Sequence, residues 1–180
     1  YSCIKELAVN AVKANAKIVL FREMELNPDD AEQYEEGLAI FKDKLSEAWI
    51  EEYSEKARQL DLRVEIRIEH APEGLRFAVS NSGRIKPEDE KRIRDKFSRG
   101  MAYDDLVTFY LDNADNTEGE GIGFALNVLL LKGEDINPAL FRVGSIDDRT
   151  IARLEIPFND DFVSIRGDNP EGSDQTSASE

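Results

Sequence analysis

Apolar residues at Ile4, Leu7, Ala8, Ala11 and Ile18 recur at helical spacing and predict a helix over residues 3 to about 22. Asn27-Pro28-Asp29-Asp30 reads as a second helix start, with Asn27 as cap, proline in the first turn and two acids at the positive dipole end. From there to about Leu60 the stripe Tyr34, Leu38, Phe41, Leu45, Ala48 and Trp49 keeps the helical period, as one long helix or as two. The period then falls to two. Val64, Ile66 and Ile68 alternate with Glu65, Arg67 and Glu69, as in a half-buried strand; Ala71-Pro72-Glu73-Gly74 makes a turn, and Leu75, Phe77 and Val79 complete a hairpin. Pro87 opens a short helix carrying Ile93 and Phe97. Residues 98 to 118 are irregular in pattern, and a helix from about Ile122 to Lys132 follows a glycine cluster. Phe141 and Val143, then Ala152, Leu154 and Ile156, suggest a second hairpin across Gly144 to Arg149. The polar, acidic stretch 159–180 reads as a disordered tail.

Composition narrows the classes. The 180 residues suffice for one packed domain, and no apolar run approaches the roughly 20 residues a membrane-spanning helix needs. A first residue of Tyr1 rather than methionine marks the chain as a segment of something longer. Cys3 is the single cysteine, so no intrachain disulfide forms, which fits a reducing cytoplasmic setting. The formal net charge of −15 repels duplex nucleic acid and anionic membranes. An anionic nucleotide would need local donors and a divalent cation. The single histidine, His70, closes a predicted strand and reads as an edge residue, leaving none for Ser-His-Asp catalysis or a metal cluster.

Three constellations carry candidate chemistry. Glu6, Asn10, Lys13 and Lys17 fall on one face of the first helix: a carboxylate, a neutral oxygen ligand and two ammonium groups in one column. Taken alone, such a column is most often a solvated face. Gly119, Gly121 and Gly123 alternate at the start of a helix, where bare backbone amides and the helix dipole can hold phosphates; a tight turn is the plain alternative. The spacing is not that of a P-loop, and no strand leads into it as in a Rossmann unit. Asn81-Ser82-Gly83 ends a strand, where Asn81 can present an oxygen to an exocyclic amine or simply close a turn.

The order of these segments resembles the GHKL family, the ATP-binding domain of sensor histidine kinases, gyrase and the large heat-shock chaperones. Glu6 to Lys13 resembles the N box, E-x-x-x-N-A-x-K. Val79 to Gly83 resembles the first glycine box, Ile93 to Phe97 the F box of the kinase branch, and Gly119 to Leu126 the second glycine box. The terminal strand ending Leu154-Glu155-Ile156-Pro157-Phe158 is similar too.

That resemblance implies an α+β fold: a two-layer α/β sandwich, a mixed and mainly antiparallel sheet covered by helices (the Bergerat fold). The domain would span residues 1–158, with a helical insertion at about 27–61. It implies ATP and Mg²⁺ as cofactors, with Asn10 ligating the metal and Lys13 near the phosphates. Asn81 would contact the adenine amino group beside Gly83. Gly119, Gly121 and Gly123 would wrap the phosphate chain under a lid at 98–118. Glu6 would be the catalytic residue, assisting the phosphoacceptor in a kinase or activating water in a hydrolase. The favoured reading is the Mg-ATP-binding catalytic domain of a two-component histidine kinase. Its partners would be a phosphoacceptor domain or response regulator, with its phosphoacceptor histidine outside this segment. The alternatives are an ATP hydrolase or switch, and a scaffold that no longer binds ATP. Two departures from the family pattern bear on that choice. A neutral Asn81 replaces the usual aspartate, and Arg84 follows Gly83 where a second glycine is normal after one more residue. The apolar stripe of the insertion, continued by Tyr53 and Ala57, raises the expectation of a dimer contact there.

Overall fold

The structure, a computed structural model, describes residues 2–112 and 123–165. Its first helix, α1 (Ser2–Glu23), carries two cores on two faces. Leu7 and Ala11 turn toward the sheet, while Ala16, Val19 and Leu20 turn toward two further helices, α2 (Ala31–Lys44) and α3 (Glu47–Gln59). The stretch read as one helix or two is therefore two, parted by a break before Ser46, whose hydroxyl accepts the Trp49 N–H and caps α3. Asn27 is not the cap of α2. Its side chain closes a turn onto the Asp29 N–H at 3.0 Å, and Asp30 caps the helix by accepting from Gln33 at 2.9 Å.

Strands β1 (Val64–Ala71) and β2 (Gly74–Ser82) form the expected hairpin, and β3 (Phe141–Ile146) pairs with β4 (Arg149–Pro157) in a second. The order across the sheet is β1-β2-β4-β3, and every pairing among the described residues is antiparallel, so no mixed sheet is seen there. Phe77 and Val79 of β2, Ala152 and Leu154 of β4 and Phe141 of β3 face the helices and pack on Leu7, Ala11, Val128 and Leu131. The result is a two-layer α+β arrangement.

Three expectations are corrected. β1 is an edge strand that meets the core only near Val64, so Ile66 and Ile68 are 49% and 60% exposed rather than half-buried. Residues 98–112 are not irregular: α4 (Pro87–Met101) runs on to Met101, and α5 (Leu106–Asp112) follows. α5 is anchored by Phe109, fully buried against Ala125 and Leu129 of α6 (Gly123–Gly133). The packed chain also continues past residue 158. Phe162 and Ser164 are buried, so residues 159–165 form a strap back onto the sheet, with the Arg76 guanidinium 4.8 Å from the Phe162 ring centre.

Candidate functional site

The helical period of α1 sets Glu6 and Asn10 one turn apart, and the Asn10 amide donates to Glu6 Oε1 at 3.0 Å. That bond fixes the amide with its carbonyl oxygen unused, and a hard cation takes oxygen ligands. The pair is half-buried and lies against the start of α6, 113 residues or more away in sequence. A Cβ on Gly123 would fall 1.9 Å from Glu6 Oε1 and 2.3 Å from Glu6 Cγ, so only glycine permits the approach. Two of the sequence motifs thus meet: the carboxylate of the first helix touches the last glycine of the alternating cluster. Gly119 and Gly121 lie outside the described residues. Lys13, half-buried one turn beyond Asn10, stands on the same helix.

Asn81 and Gly83 are placed at the other end of α1. Asn81 is buried, and its amide donates to the Ser82 carbonyl at 2.8 Å, which leaves its oxygen available as an acceptor. Gly83 takes φ +81°, a left-handed conformation that suits glycine, and a Cβ there would stand 3.0 Å from Ile18 Cδ1. The turn is held by the Gly83 N–H to Asp148 O at 2.9 Å and by Thr150 Oγ1 to Gly83 O at 2.8 Å. Among the described residues no hydrogen bond joins Asn81 to the Glu6–Asn10 pair. From Asn10 to Ile18 α1 covers eight residues, about 12 Å at the helical rise, a length an extended nucleotide spans.

The F-box segment is part of the core. Phe97 lies 4.9 Å from Phe141 and 6.0 Å from Phe124, ring centre to ring centre, so it fixes α4 against α6 and the sheet. Lys132 of α6 ties down the chain after α4 through the carbonyls of Met101 and Tyr103. Of the expected lid, residues 98–112 are therefore helical and anchored, and 113–118 lie outside the described residues.

Several polar contacts escaped the sequence reading. Lys17 donates to Asp89 at 2.5 Å and to the Tyr34 hydroxyl at 2.9 Å, joining α1, α2 and α4. Burial pushes the Asp89 carboxyl up, but the Lys17 ammonium, the Tyr34 hydroxyl and Arg92 outweigh it and hold it below the ordinary aspartate value. Burial, then Asp89, pushes the Tyr34 hydroxyl well above the ordinary tyrosine range. Asn15 and Asn127 are buried, with Asn15 Oδ1 and both amide atoms of Asn127 lacking hydrogen-bond partners. For Asn15 and Asn127 the signal was a polar residue inside an apolar helical run. The insertion's stripe is spent inside the chain: Tyr34, Phe41, Tyr53 and Ala57 are buried, and Trp49 stacks between Phe41 and Tyr53. His70 is exposed at the end of β1, 6.1 Å from the Phe158 ring. Among the described residues no cluster of three or more metal-ligating side chains occurs, and no helix is long and apolar enough to cross a membrane.

No known protein family's profile matches the chain, and no solved structure does. A curated relative, an uncharacterized protein of Treponema pallidum (strain Nichols), is 34% identical over 157 residues, or 87% of this chain. The chain spans 30% of that relative's length.

Proposed function

We propose that the chain is a GHKL-type nucleotide-binding domain with the Bergerat fold, the Mg-ATP-binding catalytic module of a histidine kinase-like signalling protein. One observation carries the reading: Glu6, hydrogen-bonded to Asn10, is seated against Gly123, so the first-helix column meets the last glycine of the cluster. The residues suit the ligand. Asn10 offers a neutral oxygen for Mg²⁺, Lys13 a cation for phosphate oxygens, and the start of α6 a helix dipole favouring negative charge. At the far end of α1, Asn81 offers a buried acceptor oxygen suited to the amino group of adenine. Bound Mg-ATP would supply the transferable phosphoryl group. The chain's own contribution is to position it and to neutralise charge. Glu6, held by Asn10, is placed to orient the acceptor of that group. The phosphoacceptor histidine belongs to another domain or protein, with a response regulator downstream, and the setting is the cytoplasm, where ATP is abundant.

Calorimetry of the full chain with Mg-ATP and Mg-ADP tests this. Binding is expected to weaken at least tenfold in Asn10→Ala, and Asn81→Leu should reduce the preference for ATP over GTP. If neither nucleotide binds a folded wild-type chain, the reading fails and the domain is a scaffold. Slow release of inorganic phosphate by the isolated domain, abolished by Glu6→Gln, would replace phosphotransfer by hydrolysis.

A further inference from the structure

The chain is acidic as a whole, at −15, yet one of its surfaces is not. On the face of the sheet turned away from the helices, the register sets side chains in rows across the strands. One row runs Glu69, Arg76, Glu155, and its charges alternate. The next runs Arg67, Ala78, Arg153, Arg142, with three arginines and no carboxylate. Arg142 and Arg153 are direct cross-strand partners, so both project from the same face, and like charges placed opposite each other are unfavourable. Arg67 finds Glu65 at 3.3 Å, and Arg142 donates Nε to the Ala139 carbonyl at 2.8 Å. Arg153 forms no ion pair among the described residues. Beside it, the small side chains of Ala78 and Ser80 leave a depression of about 150 Å³ bordered by Arg67, Arg76, Arg149 and Arg153 and by two carboxylates, Glu65 and Glu69. Glu65 is taken up by Arg149 at 3.0 Å and Arg67 at 3.3 Å, so Arg153 is the arginine of this rim left for an incoming carboxylate.

Arg142 and Arg67 have partners within the chain, but the pairing of Arg153 with Arg142 sets two like charges side by side. Guanidinium groups in that setting match carboxylates, which they take with two parallel hydrogen bonds. The same face already accepts extended chain. The strap 159–165 lies on it, with Arg76 donating to the Val163 carbonyl at 2.6 Å, and its Ile165 borders the depression. The geometry points to a docking site for a short acidic peptide segment of a partner protein, laid beside the strap with its carboxylates on Arg153 and Arg142. The overall charge selects this occupant. A long polyanion such as nucleic acid, or an anionic membrane, meets the rest of an acidic surface. A short segment stays within about 8 Å of the arginine row, the screening length at physiological salt.

Fluorescence anisotropy of the full chain with a labelled peptide of alternating glutamate and alanine tests the site, at low salt and again at physiological salt. The wild type is expected to bind it, more weakly as salt rises, and a single-stranded DNA of equal charge should bind at least tenfold less well. Arg153→Glu should lose the peptide by tenfold or more while its melting temperature stays level or rises, because a carboxylate then faces Arg142. Arg94→Glu, on exposed α4, should bind as the wild type does. The inference is overturned if the wild type fails to bind at low salt, if Arg153→Glu binds unchanged, if DNA binds equally well, or if Arg153→Glu melts lower.

Discussion

Replacing Gly123 by alanine isolates the contact on which the functional reading rests. The new methyl carbon would lie 1.9, 2.1 and 2.3 Å from Oε1, Cδ and Cγ of Glu6, against an ordinary contact of about 3.5 Å or more. Because Cγ is included, moving the carboxylate alone does not relieve the clash, and the whole side chain must rotate about χ1 into solvent. Glu6 is half-buried and free to do so, so the fold survives. What is lost is the Asn10–Glu6 bond, worth about 1 kcal/mol, partly offset by alanine's better helix propensity. We expect Gly123→Ala to lower stability by less than about 1 kcal/mol, a melting shift of under roughly 4 °C in a domain of this size. In a Glu6→Ala background the methyl group enters vacated space, so the same substitution should be neutral or stabilising. A coupling of about 1–2 kcal/mol should close the cycle, read from urea unfolding of the four proteins. Equal cost of Gly123→Ala in both backgrounds would refute the contact. Mg-ATP affinity should fall in Gly123→Ala along with the stability, since Asn10 loses the group that orients it.

Other outcomes follow from the packing and the charges. Leu7→Ala should cost about 2–5 kcal/mol in denaturant unfolding, because Leu7 lies fully within the sheet-side core. Ile66→Thr and Ile68→Thr should each stay within about 0.5 kcal/mol, since the edge strand leaves both side chains largely in water. The folded state holds the Asp89 carboxyl below its ordinary value. Its stabilisation is therefore present above that value and lost as pH falls through the folded one, so acid unfolding should begin at higher pH in Lys17→Met than in wild type. Tyr34 has the opposite sign. Its raised value gives stability that is complete below about pH 10 and declines above it, and Tyr34→Phe should flatten the alkaline limb of the stability curve.

Periodicity located the elements well where each buries one face. α1 and α6 fall within a residue of their predicted spans, and both hairpins form where expected with strands about three residues longer than their alternation, because Leu7 and Ala11, or Phe77 and Val79, are apolar for the core they meet. It failed where burial depends on neighbours along the sheet. The alternation in β1 matches that in β2, yet β1 is the edge strand and only its start, at Val64, reaches the core, and strand order is a tertiary fact. α5 was hidden for a related reason: Leu106 and Phe109 are too few to mark a helix until Ala125 and Leu129 are beside them. For the site, spacing within α1 was enough to align Glu6 with Asn10. Their meeting with Gly123 rested on motif order alone, because nothing local links the two segments. Lys17 and Tyr34 each fit the period of their own helix, but nothing local shows that they meet each other and Asp89 of a third helix.

Glu155 has a consequence for the order in which the chain is made. It is almost wholly enclosed, and its oxygens accept from Ser164 Oγ at 2.6 Å and from the Ile165 N–H at 3.0 Å, with Arg76 at 3.5 Å. Both close donors are synthesised after every strand exists. While Ile165 is still inside the ribosome's exit tunnel, a nascent chain has all four strands but carries in the last of them a carboxylate with Arg76 as its one available partner. Until then that carboxylate stands on the outer face of the sheet, open to water. The strap encloses it late, adding two hydrogen bonds and the buried Phe162 ring, so the sheet reaches its full stability only when translation has passed residue 165. A message truncated at the end of β4 would encode every strand and yet release a product marked by an unfinished outer surface, recognisable to proteases that test for partial unfolding.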